Sequence, residues 1–209
     1  MYFVKNTLSS GRALMIGILI LFTSLSAGGQ NQNQKKIKSD SQLLGFAISY
    51  FQGSKYHEAK LILQRLDKKY QLNPRFRAYL GVCYYYDQEY ERATTCLDSV
   101  IPQLKFFAPQ ELSFYYYADG ESYFSLKKYA RASLLYDQAS IRCHENEKAE
   151  IYYKLGLCYS FLQQWHPALD ALQKAYIYYH QFFPEAKARI AEIRNLIFAC
   201  CQEIDHLTS

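Results

Sequence analysis

The sequence predicts an all-α protein: a solenoid of four helix-turn-helix hairpins followed by a C-terminal capping helix. The first observation is a set of small and aromatic residues that recurs four times, at intervals of 34, 39 and 36 residues. The second is that these residues are three or four positions apart, which places them on one face of an α-helix. The third is composition: half of the 209 residues are apolar and 21% are charged, as expected for one folded domain or one short repeat array.

Residues 1–28 have the pattern of a secretory signal peptide. The first twelve residues carry Lys5 and Arg12 and no acidic residue. An apolar stretch of about 13 residues follows, shorter than the roughly 20 that a membrane-spanning helix needs. Small residues come next, so we expect cleavage after Ser26 or Gly28 and export to a periplasm or out of the cell. Contact with a membrane is then expected only through this segment before cleavage, and an uncleaved anchor is the alternative.

Residues 29–39 are predicted to be a flexible polar linker. The run QNQNQKKIK is low in complexity and has a single strongly apolar residue, Ile37. Such a segment buries too little apolar surface to fold. The folded part is therefore expected to begin near residue 40.

Four units between residues 40 and 180 share six positions. Each unit contains an alanine: Ala59, Ala93, Ala132 and Ala168. A small residue lies twelve positions before each alanine: Ala47, Gly81, Gly120 and Gly156. An aromatic residue lies three positions before each alanine: Tyr56, Tyr90, Tyr129 and Trp165. The other shared positions are a tyrosine three residues after the small residue and two apolar or aromatic residues four and seven after the alanine.

This pattern predicts how each hairpin packs. The small residue and the alanine fall on its two helices, and we expect them to face each other, as Gly81 would face Ala93. Their small size lets the two helix axes approach closely. Each hairpin also leaves an apolar face that the next hairpin buries. An ordinary antiparallel helix bundle with chance periodicity is the alternative.

The pattern resembles the tetratricopeptide repeat family over residues 40 to about 180. The best-matching unit begins at Tyr152 and includes Gly156, Trp165 and Ala168. One departure is Asp119, immediately before Gly120, where the family usually has a large apolar residue. The resemblance implies a right-handed solenoid in which the first helix of each hairpin lines a concave groove.

The periodicity and the breaker residues together predict nine helices. Pro102 is expected to end the fourth helix, Pro109 to lie in the connection after it, and Pro184 to occupy the first turn of the last helix, where its missing N–H costs nothing. In that helix, positions 190, 193, 197, 201 and 204 form an apolar stripe with Glu192 on the other side, so residues 181–209 are predicted to be a capping helix and tail. The predicted bounds are about 40–52, 56–70, 74–86, 90–101, 111–125, 129–142, 148–162, 165–180 and 184–206.

The concave groove is the predicted binding site, because the first helices are rich in aromatic residues. Rings provide a large contact area with little loss of conformational entropy, which suits binding of a protein or peptide. The alternative is that these rings pack between repeats or against the chain's own linker. By repeat position, the predicted groove residues are Phe51, Tyr85, Tyr86, Tyr117, Phe124, Tyr153 and Phe161.

Candidate chemistry in the sequence is sparse. Six cysteines in an exported protein invite disulfides, but the expected pairing of Gly81 with Ala93 would put Cys83 and Cys96 too far apart, so we predict buried free thiols. No Cys-x-x-Cys, phosphate-binding glycine loop or catalytic serine motif occurs. We therefore predict no catalytic residue, no metal, no cofactor and no enzymatic activity.

Charge and composition narrow the choice of partners. The formal net charge is +5, of which Lys5 and Arg12 contribute two, and the basic residues form no concentrated stripe. Nucleic acid is therefore not an expected partner. The sequence predicts an exported scaffold or adaptor that binds a protein partner on its aromatic groove. A self-associating structural subunit of an envelope assembly, and hence a homo-oligomer, is the alternative; a hydrolase or small-ligand binder would need a polar cluster in the groove.

Overall fold

The computed structural model describes residues 39–208, with the side chains of residues 39–207. The predicted signal peptide and the predicted linker up to residue 38 lie outside the described residues. Within 39–208 the chain is helical and contains no β-strand. Ser39 begins the first helix as its N-cap, because its hydroxyl accepts a hydrogen bond from the Gln42 amide while the Gln42 side chain accepts one from the Ser39 amide.

Four helical hairpins follow one another, and a single long helix follows the fourth. Each hairpin contacts the next, and the last helix packs on the second helix of the fourth hairpin. The described part of the chain is therefore an all-α solenoid, as the repeat spacing predicted. The helices are α1 (Asp40–Gln52), α2 (Tyr56–Tyr70), α3 (Pro74–Tyr86), α4 (Tyr90–Val100), α5 (Pro109–Ser125), α6 (Tyr129–Ser140), α7 (Lys148–Phe161), α8 (Trp165–Phe182) and α9 (Lys187–Thr208), with short 3₁₀ helices at Ile101–Leu104 and Glu145–Glu147.

Two prolines lie elsewhere than predicted. Pro109 is the first residue of α5 and not part of the preceding connection, because the first helical N–H needs no partner within the helix. Pro184 was predicted in the first turn of the last helix, but α8 continues to Phe182 and α9 begins only at Lys187. Pro184 lies in the turn between them, which the Ala186 amide closes by donating to the Phe183 carbonyl at 2.9 Å.

The four turns inside the hairpins share one backbone geometry. Each has a residue with a positive φ of 57–62° seven positions after the small residue. Each turn is also closed by an amide that donates to the carbonyl of the shared tyrosine, five positions earlier, at 2.8–2.9 Å. None of the left-handed residues is a glycine, since Gly53 has a φ of −82° and precedes its turn's left-handed residue. The left-handed residues are Ser54, Gln88, Lys127 and Gln163.

The register across each hairpin differs from the predicted one. A Cβ on Gly81 would lie 2.7 Å from the Leu97 Cγ, so Gly81 packs on Leu97 and not on Ala93. Gly156 approaches Leu172 and Gly120 approaches the Tyr136 ring in the same way. Residues that face each other are equidistant from the turn. The shared turn is centred eight residues after the small residue, so the facing residue comes sixteen positions after it and not twelve.

This register contradicts the prediction that Cys83 and Cys96 are far apart. All six cysteines are nevertheless free thiols in the structure, as predicted. The Cβ position at Gly81 is only 3.6 Å from the Cys96 Cβ, so Cys96 lies close to the first helix of its hairpin. Its thiol donates to the Arg77 carbonyl at 3.2 Å. Cys83, Cys158 and Cys200 are buried, and burial raises the pKa of the Cys158 thiol to about 12, so the Cys158 thiol is unreactive at neutral pH.

The core of the solenoid runs along the contacts between helices. All four repeat alanines are fully buried, which allows the close helix approach that the repeat predicted. In α9 the buried residues are Ile193 and Cys200, with Ile190 and Ile197 partly buried beside them. The first residues of the predicted stripe therefore pack against the last hairpin. Farther along α9, Cys200 is the buried cysteine, whereas the stripe was predicted to include Cys201.

Candidate functional site: the face of the first helices

The first helices of the hairpins, α1, α3, α5 and α7, form the side of the solenoid that we call the A-helix face. The seven predicted groove residues belong to these helices but differ in exposure. Phe51 and Tyr153 are buried, whereas Tyr85, Tyr117 and Phe124 are half-buried. Tyr86 is 42% exposed and Phe161 is 56% exposed, so these two rings are the most accessible of the set.

Phe51 is not available to a partner, which corrects its assignment to the groove. Its ring stacks on Tyr79 with centroids 4.2 Å apart and makes edge contacts with Tyr56 and Phe114. These rings come from three successive hairpins, and only 3% of Phe51 remains exposed. For this residue, packing between repeats is the correct interpretation.

Tyr153 is buried for a different reason, because the last helix covers it. The Arg189 guanidinium of α9 lies 4.1 Å from the centre of its ring. Its hydroxyl donates to Glu192 at 2.6 Å, and only 4% of the residue is exposed. Glu192 was predicted to point away from the apolar stripe of α9, yet it accepts this hydrogen bond. Tyr153 therefore anchors α9 and does not line an open groove.

The two exposed rings are each held by a stack with the preceding hairpin. Tyr86 lies parallel to Tyr56 with centroids 3.8 Å apart, and Phe161 stacks on Tyr129 with centroids 4.4 Å apart. In each pair, the ring from the earlier hairpin belongs to the first residue of its second helix. The ring from the later hairpin lies five positions after the small residue of that hairpin. We call these pairs the turn stacks. Between them the same position holds Ser125, so the series of rings is interrupted once.

A charged centre lies beside the second turn stack. The Lys154 ammonium is 2.9 Å from a Glu121 oxygen and 5.2 Å from the centre of the Phe124 ring. Both charged side chains are less than a fifth exposed, so the ion pair is shielded from water. Glu121 also accepts a hydrogen bond from the Tyr136 hydroxyl. This pair therefore places a largely buried cation and a largely buried anion beside the aromatic surface.

A second part of the charged centre joins α7, α8 and α9. The Tyr179 hydroxyl donates to Glu150, and Arg189 donates to Glu192 at 3.1 Å. Of these four residues, only Glu192 stands out in the sequence, and its position there does not indicate a binding site. Glu150 and Lys154 are four residues apart on one helix, a spacing that suggests a shared face. That spacing is common on solvated helices, so it could not single out this cluster.

The tyrosines around the charged centre are held in their protonated form. Burial raises the pKa of the Tyr117 and Tyr136 phenols well above the ordinary value, and the nearby Glu121 carboxylate raises both further. Burial and Glu150 raise the pKa of Tyr179 in the same way. These phenols consequently remain hydrogen-bond donors across the normal pH range.

Metal binding and membrane insertion can be judged for the described residues. Between residues 39 and 207, no three histidine, cysteine or carboxylate side chains are placed so that they could hold a metal ion. None of the helices described combines the length and apolar character needed to cross a membrane.

The family comparison identifies the repeat. The tetratricopeptide repeat family profile matches residues 150–179, the unit that the sequence analysis identified as the best. This part of the chain is a tetratricopeptide repeat. A search of the curated proteins finds no significant match to this sequence.

Several solved structures share the fold of this chain. The structure titled MamA RS-1 ArsTM double mutant is 18% identical, covers 80% of this chain and 97% of its own, and has a TM-score of 0.55. MamA 41-end from Desulfovibrio magneticus RS-1 is 17% identical, with coverages of 81% and 97% and a TM-score of 0.54. A further crystal structure of MamA protein is 17% identical, with coverages of 79% and 88% and a TM-score of 0.53. At these identities the likeness is one of fold.

Proposed function

We propose that this protein is a scaffold or adaptor that binds a protein or peptide on its A-helix face. The observation that carries the proposal is the pair of turn stacks, which hold Tyr86 and Phe161 exposed at the same repeat position. Large apolar rings on a surface are typical anchors of protein interfaces. Because each ring is already held by its stacking partner, little side-chain entropy is lost when a partner covers it.

The chemistry of the partner follows from the surface. Tyr86 and Phe161 offer apolar contact, while the Glu121–Lys154 pair offers one acceptor and one donor next to Phe124. A partner segment with apolar side chains for the turn stacks and a polar or charged group between them would satisfy all of these groups. Binding then requires no chemical step, and the protein is proposed to act without catalysis, metal or cofactor.

Site-specific photocrosslinking in the cells that naturally make the protein tests this binding face. A photoreactive phenylalanine replaces Phe161 in one variant and Tyr86 in a second. The matched control carries it at Phe106, an 89% exposed ring in the connection between α4 and α5. We expect one partner to crosslink at positions 161 and 86 and not at 106. Equal crosslinking at all three positions would contradict the proposed face.

Affinity measurements with the purified partner complete the test. Phe161→Ala is expected to weaken binding by about tenfold or more, corresponding to about 1.4 kcal/mol, because an exposed anchor ring is lost. Phe106→Ala is the control and should bind as the unchanged protein does. Thermal unfolding of both variants separates lost contact from lost stability, since Phe161 also stacks on Tyr129.

Export is part of the same proposal. Residues 1–28 carry the signal pattern described above, so the functional chain is proposed to be periplasmic or secreted. Mass spectrometry of the protein isolated from its natural source measures the N-terminus. A chain beginning at Ala27 or Gly29 supports export with cleavage, whereas a chain that retains residues 1–26 contradicts cleavage.

Self-association is a second candidate function, because α9 keeps large apolar side chains exposed. Phe198 is 64% exposed and Leu207 is 72% exposed, and both lie on the helix that ends the solenoid. A second copy of the chain is the proposed cover. Analytical ultracentrifugation over a concentration series would then show a dimer that Phe198→Glu abolishes and Phe106→Glu leaves intact. A monomer at every concentration would reject this candidate.

A further inference from the structure

A cavity of about 290 Å³ lies between the second and third hairpins. Its walls come from α4, the 3₁₀ helix after it, α5 and α6. On α5 it is lined by Asp119, which lies two residues from both Tyr117 and Glu121 and hence roughly 200° around the helix axis from each. The cavity is therefore separate from the A-helix face.

Asp119 is the unusual residue of this cavity. It is fully buried, and neither of its carboxyl oxygens accepts a hydrogen bond within the described structure, although the protonated group can donate one to the neighbouring Asp98 carboxylate. The position usually holds a large apolar residue in the family that this chain resembles. Burying a carboxyl group is unfavourable, and an apolar residue at this position would avoid that cost. A buried polar group of this kind is expected where a ligand supplies its hydrogen-bond partner.

The other carboxylates of the cavity already have partners. Asp98 on α4 accepts from Arg131 at 2.8 Å and also from the Tyr123 hydroxyl. Asp137 on α6 accepts from the Tyr159 hydroxyl at 3.4 Å. Three carboxyl groups thus converge from three helices, and Arg131 is the one guanidinium or ammonium group among the described lining residues. When Asp119 is ionised, the lining therefore carries three carboxylates against one guanidinium.

Apart from Gln138, which is polar, the remaining lining residues are apolar or aromatic. Ile101, Pro102 and Leu135 line the cavity, and Leu134 is 56% exposed beside them. At about 290 Å³ the cavity is at the lower limit of the range for small-molecule pockets, so it has room for a single extended side chain rather than a large ligand. Carboxylates with an apolar wall complement a cation carried on an aliphatic stem.

We propose that this cavity binds a primary ammonium group at the end of an unbranched aliphatic chain, as in a lysine side chain of a partner polypeptide. An ammonium group has three donors and no acceptor, which suits carboxyl groups arriving from α4, α5 and α6. A guanidinium is planar and binds best to one carboxylate edge, and Arg131 already contacts one oxygen of Asp98. The aliphatic stem lies against Leu134 and Leu135. A free aliphatic diamine has the same chemistry and is the other source of this group.

Protonation of Asp119 provides a signature of the site. Burial, and then the neighbouring Asp98, raise the pKa of Asp119 to about 8, while Arg131 opposes them. At about pH 7 the empty site therefore holds a proton on Asp119. An ammonium group that pairs with the carboxylate displaces this proton to the buffer, so binding releases close to one proton near neutral pH and none well above pH 8.

Calorimetric titration of the purified protein with N-acetyl-lysine-N-methylamide tests the site. N-acetyl-norleucine-N-methylamide is the matched probe, because it keeps the aliphatic stem and lacks the ammonium group. The lysine derivative is expected to bind at least about tenfold more tightly, since only it pairs with the buried carboxyl group. The proposal is overturned if neither the lysine derivative nor cadaverine binds saturably. It is also overturned if the lysine and norleucine derivatives both bind and do so equally. The corresponding arginine derivative is the third probe. If it binds more tightly than the lysine derivative, the assignment of the site to an ammonium group is wrong.

Two variants locate the binding to Asp119. Asp119→Asn keeps the shape of the side chain, and Asp119→Leu restores the type of residue usual at this position, so folding is expected in both. Each should weaken binding of the lysine derivative at least about tenfold and abolish the proton release, measured in two buffers of different ionisation enthalpy. Asp170→Asn removes an exposed carboxylate on α8 and should change neither quantity. Unchanged affinity in both Asp119 variants overturns the proposal.

The source of the ammonium group is decided by the two ligands. Binding of the lysine derivative with weaker binding of cadaverine assigns the site to a partner polypeptide. The reverse order assigns it to a free diamine, and either result supports an ammonium site at Asp119.

Discussion

At the scale of single residues, the third hairpin differs from the other three. Gly120 packs on a tyrosine ring, whereas Gly81 and Gly156 pack on leucines. Asp119 is buried next to it, and Tyr136 reaches Glu121 through its hydroxyl. The departure that stands out in the sequence at Asp119 is thus one part of a local change in packing chemistry, in which polar groups replace apolar ones.

Asp119 predicts an unusual dependence of stability on pH. Its folded pKa of about 8 lies above the ordinary value of 3.8 that it regains on unfolding. Between these values the folded state binds the proton and the unfolded state does not, so the free energy of unfolding falls as pH rises, by up to about 1.4 kcal/mol per pH unit. Below the ordinary value the group contributes no difference, and above pH 8 the loss is complete.

Urea unfolding at several pH values from about 5 to 8 measures this dependence, compared between the unchanged protein and Asp119→Asn. The difference between the two curves isolates Asp119 from every other titrating group. We expect the variant to become relatively more stable as pH rises. A constant difference across this range would show that Asp119 is ionised in the folded protein.

Two of the close glycine contacts, at Gly156 and Gly120, predict that an added methyl group destabilises the protein to different extents at the two sites. A Cβ on Gly156 would lie 2.6 Å from the Leu172 Cγ and 3.4 Å from its backbone nitrogen, whereas one on Gly120 would lie 3.0 Å from the edge of the Tyr136 ring. Overpacking costs about 1–3 kcal/mol, and a helical alanine regains about 1 kcal/mol over glycine. Gly156→Ala should therefore destabilise the protein by up to about 2 kcal/mol in chemical unfolding, and Gly120→Ala by less. An equal effect would mean that helix α8 moves aside as easily as the ring.

At the scale of elements, the hairpin turns have one geometry without glycine. All four left-handed positions carry a residue with a Cβ, which is strained at a positive φ. The geometry persists because each turn closes with the same hydrogen bond to the shared tyrosine carbonyl. The repeat is therefore encoded by the two packed helices, and the turn residue adapts to them.

Substitutions at Gln163 test the strain in these turns. Gln163→Gly removes the Cβ at a φ of 57° and should raise the free energy of unfolding by about 0.5–1 kcal/mol or leave it unchanged. Gln163→Val places a β-branched side chain there and should lower it by about 1–2 kcal/mol. The same pair at the exposed helical residue Gln173 is the control, where valine should be the more stable of the two. Equal stability of the Gly and Val variants at 163 would show that the turn relaxes out of the left-handed region.

At the scale of the whole molecule, α9 covers the end of the repeat array. Ile193 is fully buried against the last hairpin, and Arg189 and Glu192 bind Tyr153. The outer side of α9 keeps Phe198 exposed. Each hairpin in such an array depends on its neighbours for burial of its apolar face. Loss of the contact with α9 should therefore destabilise the last hairpin first.

Replacing Ile193 tests whether α9 acts as a cap. Ile193→Ala leaves a cavity in a buried contact and should destabilise the protein by about 2–4 kcal/mol. Hydrogen exchange should increase first in α9 and α8. Phe198→Ala, at a 64% exposed position of the same helix, is expected to change stability by no more than about 0.5 kcal/mol. Uniformly faster exchange in all helices would argue against a terminal cap and for one cooperative unit.

The sequence by itself determined the all-α repeat architecture and most of the helix bounds. It did so because the period of small, aromatic and apolar residues reports local helical faces, and because the spacing between units reports the hairpins. The helix α3 (Pro74–Tyr86) begins and ends at the predicted residues for this reason. Asp119 was also visible as a departure from the repeat, although its burial was not.

Only the tertiary structure decided which rings are available and which residues face each other. Phe51, Tyr85 and Phe124 occupy the same repeat position, yet Phe51 is buried because Tyr79 and Phe114 of later hairpins close over it. Tyr153 is buried in turn because α9 places a guanidinium on its ring. The exposure of a repeat position depends on the side chains that neighbouring hairpins place over it. Those contacts are long-range in sequence, so the period that predicts the helices carries no information about them.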